Sequence, residues 1–318
     1  MTAEEGGTRA IIAAFLANLG IAIAKFVAFL FTGAASMLAE AVHSVADTGN
    51  QALLFLGGRR GRKGPTPDHP FGYGRERYFW AFLVAVVLFT LGSLFALYEG
   101  YQKLRHPHEL ESPVWAFAVL GIAMVLESFS LRTAVHEANK VRRGQGWWKF
   151  IHRAKSPELP VVLLEDVGAL LGLVFALTGV TLAVVTGEPR FDAVGSLAIG
   201  LLLGVIAVVV GSEMRSLLLG EAASREETAA IEAALGSASG VRQLIHLRTM
   251  HLGPDELLVG AKVELDPRLS FPEVADAIDG AEAAVRERVP SARVIYIEPD
   301  VDRAERREPV PPPTTPSA

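Results

Sequence analysis

The stretch that decides the fold runs from Glu158 to Val185 and reads ELPVVLLEDVGALLGLVFALTGVTLAVV. As a helix it is long enough to cross about 30 Å of hydrocarbon, which takes roughly 20 residues. Two acids, Glu165 and Asp166, stand side by side inside this otherwise apolar run. Ionisable groups inside a membrane cost free energy, so they usually face the interior of a helix bundle and mark an ion or proton path. The stretch therefore indicates a membrane-spanning helix with a function beyond anchoring.

The composition of the whole chain agrees with a membrane protein. Half of its 318 residues are hydrophobic and only 20% are charged. The first apolar segment is too long for a signal peptide, so we interpret it as the first span. We predict an α-helical membrane protein with six transmembrane helices, which lie near residues 9–32, 36–57, 79–99, 113–131, 160–184 and 192–213.

The distribution of basic residues predicts the orientation in the membrane. The connections after the second and fourth spans hold thirteen Lys and Arg residues, against three in the connections on the other side. Because cytoplasmic loops carry the excess of basic residues, both basic connections and both termini are expected in the cytoplasm. A composition rich in Ala, Val, Gly and Arg favours a bacterial gene, and hence the bacterial cytoplasmic membrane.

The chain changes character after the last span. We expect a cytoplasmic segment at 1–8, a transport domain at 9–215, a small soluble domain at 216–303 and a disordered Pro-rich tail at 304–318. The soluble domain shows the pattern αββαβ, from helical spacing near 226–239 to a last strand near 292–299. Fifteen acids against nine bases in residues 222–303 argue against nucleic acid as its partner.

The second predicted span carries a further polar group. His43 and Asp47 are four residues apart, so both project from one helix face, and Glu40 and Asn50 extend the same stripe. Since the chain has no cysteine, a transition metal must be held by His, Asp, Glu or Asn. One imidazole with carboxylates suits Zn²⁺ and tolerates Mn²⁺, Fe²⁺, Co²⁺ or Cd²⁺. The alternative is that His43 and Asp47 only hydrogen-bond each other and help to hold helices together.

Several motifs together resemble one known family. They are the HxxxD of the second span, the aspartate of the fifth span, DHPFGYGRERYFW before the third span and FDAVGSLAIGLLL in the sixth, together with the αββαβ end of the chain. In this order they resemble the cation diffusion facilitator family of metal/proton antiporters. The segments ESFSLRTAVHEANK and WWKFIHRAKSPELPVVLLEDVGALLG are similar to the branch that includes zinc transporter nine.

The resemblance implies a six-helix transport domain, a ferredoxin-like cytoplasmic domain and a homodimer. It implies that His43, Asp47 and Asp166 bind the transported divalent cation, and that protons move in exchange. It implies no cofactor, because zinc or a similar ion is the substrate. Alternatives are a membrane-embedded metalloenzyme, for which HExxH and a second histidine in the spans are missing, and a metal-sensing scaffold.

This sequence departs from the family pattern at one ligand. Much of the family has His or Asp one turn before the fifth-span aspartate, where this chain has Val162. We expect Glu165 to replace that ligand, directly or through water, or to serve as a proton site. Adjacent helical residues point about 100° apart, so Glu165 and Asp166 cannot both aim straight at one ion. The alternative is a protonated Glu165 that bonds a neighbouring helix close to Gly168 and Gly172.

Other positions matched to family metal sites are altered as well. His69 matches a loop ligand, but its expected partner is Tyr73, so the loop either holds a weak metal site or is shaped by its aromatic residues. In the soluble domain His246 and His251 lie five apart on one strand, hence on opposite faces unless a bulge intervenes. Glu127 of the fourth span either joins a proton path or bridges helices near the cytoplasmic side.

Overall fold

The structure is a computed structural model that describes residues 3–32, 35–107, 113–142 and 144–301. Inside helices it leaves out the side chains of residues 3–7, 9, 25, 28–29, 31–32, 35–43, 46 and 113. The described chain divides into two compact units, with the boundary between Leu219 and Gly220. The predicted tail at 304–318 lies outside the described residues.

The first unit is built of helices that follow the apolar runs. In hydrocarbon every backbone N–H and C=O must be bonded within its own segment, and a helix meets this requirement. Its elements in chain order are α1 (Ala3–Thr32), α2 (Ala35–Gly61), α3 (Glu76–Val87), a π-helical segment (Leu88–Leu94), α4 (Phe95–Arg105), α5 (Pro113–Val141), α6 (Trp147–Arg153), α7 (Glu158–Thr186) and α8 (Arg190–Leu219).

Four described stretches are long and apolar enough to cross a membrane. They are Glu76–Arg105, which joins α3, the π-helical segment and α4, followed by Val114–Val141, Glu158–Thr186 and Arg190–Leu219. The described apolar part of α1 is shorter and covers Ala10–Ala24. The chain is thus an integral membrane protein, and the count of six spans stays a prediction.

Glycines allow α7 and α8 to pack backbone against backbone. A Cβ added to Gly179 would lie 2.9 Å from the carbonyl oxygen of Phe191, and one on Gly195 would lie 3.0 Å from that of Phe175. Any larger residue at these positions would push the two helices apart. Close packing of α7 against α8 fixes the side of the bundle on which the acids of α7 lie.

The second unit has the predicted αββαβ order. It comprises α9 (Arg225–Ser237), β1 (Val241–Gly253), β2 (Glu256–Leu265), α10 (Phe271–Arg288) and β3 (Val294–Pro299). Strand β2 is central, antiparallel to β1 and parallel to β3. Alternate residues of β2, among them Leu257 and Val259, are buried against Ile231 of α9 and Val285 of α10, as the two-residue period of a strand requires.

Helix α9 begins at a capping box that links it to the rest of the second unit. The Ser224 hydroxyl accepts a hydrogen bond from the Glu227 N–H at 3.1 Å, and the Glu227 carboxylate accepts one from the Ser224 N–H at 2.9 Å. Partial burial raises the pKa of the Glu227 carboxyl, but the Ser224 bonds, His251 and the Ser291 hydroxyl outweigh it. The pKa of Glu227 therefore lies below its ordinary value of 4.5.

We predict that Glu227→Gln loosens α9 in a pH-dependent way. Because the pKa of Glu227 is lower in the folded state, its contribution is complete above about pH 4.5 and is lost as the pH falls through the folded value. At neutral pH the amides of α9 should exchange hydrogen roughly two- to fivefold faster, which corresponds to about 0.5–1 kcal/mol. Hydrogen exchange of the full-length protein, followed by mass spectrometry, measures this difference.

The matched control is Glu226→Gln, a change at the exposed neighbouring acid in the same helical turn. It should leave the exchange of α9 unchanged. Equal acceleration in both variants would contradict a specific role of the Glu227 cap.

Candidate cation site

A cavity of about 360 Å³ lies among the helices of the first unit and is rich in acids. Its described lining holds one basic side chain, Lys103, and six acidic ones, which are Asp47, Glu99, Glu127, Glu165, Asp166 and Asp192. A negative cavity inside apolar helices attracts cations, because neutralisation makes buried carboxylates tolerable in a low dielectric.

Asp166 is less exposed than Asp47 and Glu165, the other predicted site residues whose side chains the structure describes. Helix α7 turns it toward α5, where the Ser130 hydroxyl donates a hydrogen bond to its Oδ2 at 2.8 Å. Only 2% of the Asp166 residue surface is exposed. One of its two oxygens thus has a partner that fixes the orientation of the carboxyl group, and the side chain lines the cavity.

The Glu165 carboxyl contacts α2, and not the helix that packs closely against Gly168. Its Oε2 accepts a hydrogen bond from Nε2 of Gln51 on α2 at 2.8 Å. The Oε1 of Gln51 in turn accepts one from Nδ2 of Asn18 on α1 at 3.2 Å. The helix that approaches Gly168 closely is α8, since a Cβ there would meet Ile206 at 2.5 Å. The carboxyl of Glu165 instead joins a chain of amides across α1, α2 and α7.

Helix α2 contributes Asp47 and Asn50 to the same cavity. Asp47 is half-buried, whereas Asn50 is 2% exposed and lies beside the Glu165 carboxyl. Two buried oxygens here, Oδ1 of Asn50 and Oε1 of Glu165, have no hydrogen-bond donor among the described residues. Buried oxygens normally have a partner, so this pair has spare capacity to bind a cation or a proton donor.

Three of the four predicted ligands, Asp47, Glu165 and Asp166, line one cavity. Among the described side chains no group of three or more His, Asp or Glu has an arrangement that could hold a metal ion. The side chain of His43 lies outside the described ones, although α2 includes its position. The set His43, Asp47, Asp166 and Glu165 therefore stays a prediction, with Asp47, Glu165 and Asp166 all lining the cavity.

Val162 lies in the packed core of the first unit. It has 0% exposure and belongs to the same apolar cluster as Leu159 and Val161. It is not among the residues that line the cavity. The position where much of the family has a fourth ligand is thus sealed by apolar packing in this chain.

Glu127 faces the same acidic cavity as the predicted ligands. It is 5% exposed and lies close enough to Glu165 for the two carboxyl groups to interact electrostatically. Helix α5 places it one turn before Ser130, the partner of Asp166. The sequence left two roles for Glu127, in a proton path or as a bridge between helices. Its position in the acidic cavity favours the proton path.

Three further histidines were considered as metal ligands, and they are His69, His246 and His251. The connection before α3 is closed by paired backbone hydrogen bonds between Thr66 and His69, and the His69 ring lies 4.4 Å from that of Tyr73. In β1 the register runs without a bulge from His246 to His251, so the two side chains lie on opposite faces. His251 is 1% exposed, within the second unit.

Sequence reasoning did not single out Asn18 or Gln51. Both are buried amides inside apolar helices, and together they hold Glu165. The available signal was their polarity within long apolar runs. Their link to Glu165 could not be predicted from this signal, because Gln51 and Glu165 are 114 residues apart in the chain.

Comparisons with known proteins agree with this geometry. A family model described as the cation efflux transmembrane domain matches residues 11–219, and one described as the cytoplasmic domain of cation efflux proteins matches residues 223–300. The two matches cover both units of the structure.

Individual relatives are named for zinc antiport, metal tolerance and cation efflux. The chain is 34% identical over 247 residues to the mitochondrial proton-coupled zinc antiporter SLC30A9 of Homo sapiens, which covers 77% of this chain and 44% of that protein. It is 30% identical over 268 residues to metal tolerance protein C4 of Arabidopsis thaliana, covering 84% and 59%. It is 27% identical over 293 residues to the cation-efflux pump FieF of Pectobacterium atrosepticum, covering 91% of each.

The chain spans less than half the length of SLC30A9, so the likeness concerns the shared transport and cytoplasmic domains. The proteins of this family are transporters and not enzymes. From the two matched domains and the similarity to SLC30A9, the chain is a member of the cation efflux, or cation diffusion facilitator, family, in the branch that resembles zinc transporter nine.

Proposed function

We propose that the protein exports a divalent cation, zinc in the first instance, from the cytosol in exchange for protons. The observation that carries this proposal is the acidic cavity, with buried Asp166 at its inner part, inside helices that match the cation efflux transmembrane domain. SLC30A9 is named as a proton-coupled zinc antiporter, and it supports zinc as the first ion to test.

The ligands in this proposal are His43, Asp47, Asp166 and Glu165. One imidazole nitrogen with carboxylate oxygens is a donor set that Zn²⁺ accepts, and that Mn²⁺, Fe²⁺, Co²⁺ and Cd²⁺ tolerate. Glu165 supplies the oxygen that Val162 cannot. Its Oε2 is held by Gln51, which leaves Oε1 for the ion.

Exchange follows from the need to neutralise buried carboxylates. When the cation leaves, protons from the far side take its place on the site, and when they leave toward the cytosol a new cation binds. The pathway requires alternate exposure of the cavity to the two sides of the membrane. No nucleotide is needed, because the proton gradient drives the exchange.

We place both termini in the cytoplasm and the protein in a bacterial cytoplasmic membrane. The basic connections support the orientation, since cytoplasmic loops carry the excess of Lys and Arg. The match of residues 223–300 to a cytoplasmic domain supports it as well. That matched domain serves for dimerisation in the family, and we propose a homodimer.

We predict that Asp47→Ala and Asp166→Ala reduce zinc flux to background. Partners of metal ligands alone are worth about 10–100-fold in affinity or activity, so removal of a ligand should cost at least as much. Zinc uptake into proteoliposomes with an imposed pH gradient measures the loss.

Glu188→Gln is the matched control, because Glu188 is an acid in the connection between α7 and α8 that does not line the cavity. It should transport like the wild type. Normal flux in Asp47→Ala and Asp166→Ala would exclude the proposed site.

We predict further that Glu165→Gln weakens zinc binding roughly tenfold or more, because the change removes a charge from the site and keeps its shape. Titration of zinc into purified protein in detergent gives the dissociation constant independently of transport. Glu127→Gln is the control, since Glu127 is a buried acid of the same cavity.

The control should change the dissociation constant less than Glu165→Gln does. If Glu165→Gln binds zinc like the wild type while Glu127→Gln does not, the fourth ligand is Glu127 and the role assigned to Glu165 is wrong.

A further inference from the structure

The cavity extends from Asp166 toward one end of the bundle only. Its far end is lined by Glu99, Lys103 and Asp192, and the Lys103 ammonium lies 3.2 Å from Glu99 and 3.1 Å from Asp192. The Lys103 side chain is 40% exposed there, against 2% for the Asp166 residue. This end holds the first turn of α8, whereas α8 ends at Leu219 next to the segment matched to a cytoplasmic domain. The cavity therefore faces away from the cytoplasm.

On the cytoplasmic side of Asp166 apolar side chains pack in one core, and Leu54 of this core also lines a second cavity of about 280 Å³ together with Arg77 and Glu158. Leu159, Val161 and Val162 of α7 pack in one core with Leu54 of α2 and Tyr78 of α3. Each of these five residues is at most 2% exposed. We call these five residues the apolar plug. No ion could pass them without separation of the helices, because close-packed interiors have few voids larger than a water molecule.

A buried ion pair lies at the cytoplasmic edge of the plug. The Arg77 guanidinium on α3 donates from Nε to Oε1 of Glu158 in the first turn of α7. Both side chains are only 5% exposed. The pair joins the helix that begins after the basic connection to the helix that carries Glu165 and Asp166.

Glycines at the end of α2 make room for this pair. A Cβ on Gly61 would lie 2.6 Å from Cγ of Arg77, and one on Gly57 would lie 2.8 Å from Cβ of Trp80. The corresponding atom on Gly58 would lie 3.9 Å from Oε1 of Glu158. Helices α2, α3 and α7 thus meet at the pair. The glycines of the GGRRG segment allow this close packing, whereas its arginines belong to the basic connection that predicts the orientation in the membrane.

We propose that the Arg77–Glu158 pair and the apolar plug form the cytoplasmic gate of the transport path. Opening toward the cytosol requires α7 to move away from α3, which breaks the pair. Breaking a buried pair is strongly unfavourable while its members stay buried, but cytoplasmic water solvates both charges once the helices part. The pair therefore gives two discrete arrangements, closed and dry or open and hydrated.

The role of the gate rests on the proposed transport function, but its test does not use transport. The chain has no cysteine, so single cysteines can report on water access at chosen positions. Val162→Cys reports on the plug, and Ala169→Cys reports on the cavity, which Ala169 lines. The full-length protein is reconstituted in vesicles, and a membrane-impermeant maleimide is added to one side at a time.

With the native pair, Ala169→Cys should react from the far side and Val162→Cys should be protected from both sides. Arg77→Gln and Glu158→Gln, each combined with Val162→Cys, should speed its reaction from the cytoplasmic side at least about tenfold. Tenfold corresponds to about 1.4 kcal/mol. Ala169→Cys combined with either change verifies that the protein is folded, because its reaction must persist.

Two further variants separate a gate from simple packing. Reversal of the pair by Arg77→Glu with Glu158→Arg should restore the protection of Val162→Cys, since the opposite charges still meet. Lys140→Gln breaks a comparable ion pair with buried Glu137, 2.8 Å long, within the single helix α5. This control should leave Val162→Cys protected.

Three outcomes would overturn the gate. They are protection of Val162→Cys that persists after loss of either charge, rapid labelling that persists in the reversed pair, and equal labelling in the Lys140→Gln control. None of them depends on zinc flux. A failed transport assay with normal gating, or the converse, therefore assigns the error to one proposal or the other.

Discussion

The free-energy cost of a carboxylate inside a membrane is the constraint on which the rest of this structure depends. Glu165 and Asp166 lie in the first third of a helix that can cross the bilayer, and each needs polar partners there. Asp166 has Ser130 of α5, and Glu165 has Gln51 of α2, which Asn18 of α1 supports. Three helices, α1, α2 and α5, are thereby linked to one pair of adjacent residues on α7, because successive side chains on a helix point in different directions.

The same helix separates two environments along its length. From Asp166 to Val180 it lines an acidic cavity, and from Leu159 to Leu163 it is buried in apolar contacts. Val162 belongs to the second environment. Where the family pattern has a ligand, this chain has an apolar side chain that is packed in the core. Loss of the ligand and gain of apolar packing are therefore one change, and the replacement donor must come from another position, which in the proposed site is Glu165.

Small residues determine how close the helices lie and thus where the polar groups meet. Gly179 and Gly195 allow backbone contact between α7 and α8, which places the acids of α7 toward α2 and α5. Gly57 and Gly61 allow α2 to close over Trp80 and Arg77. In a bundle whose surroundings are as apolar as its core, such close contact is a main source of helix association. The glycines thus support the packing on which both the candidate site and the proposed gate depend.

The sequence alone determined the class of the protein and the αββαβ order of its second unit, and it predicted the residues of the cation site. These features depend on local patterns: the length of apolar runs, the helical spacing of polar residues and the alternation along strands. The tertiary structure decided which helix each acid faces, that Asn18 and Gln51 hold Glu165, that Glu127 shares the cavity and that Arg77 pairs with Glu158. Contacts between distant segments depend on helix rotation and on packing distances of a few ångströms, which no local pattern records.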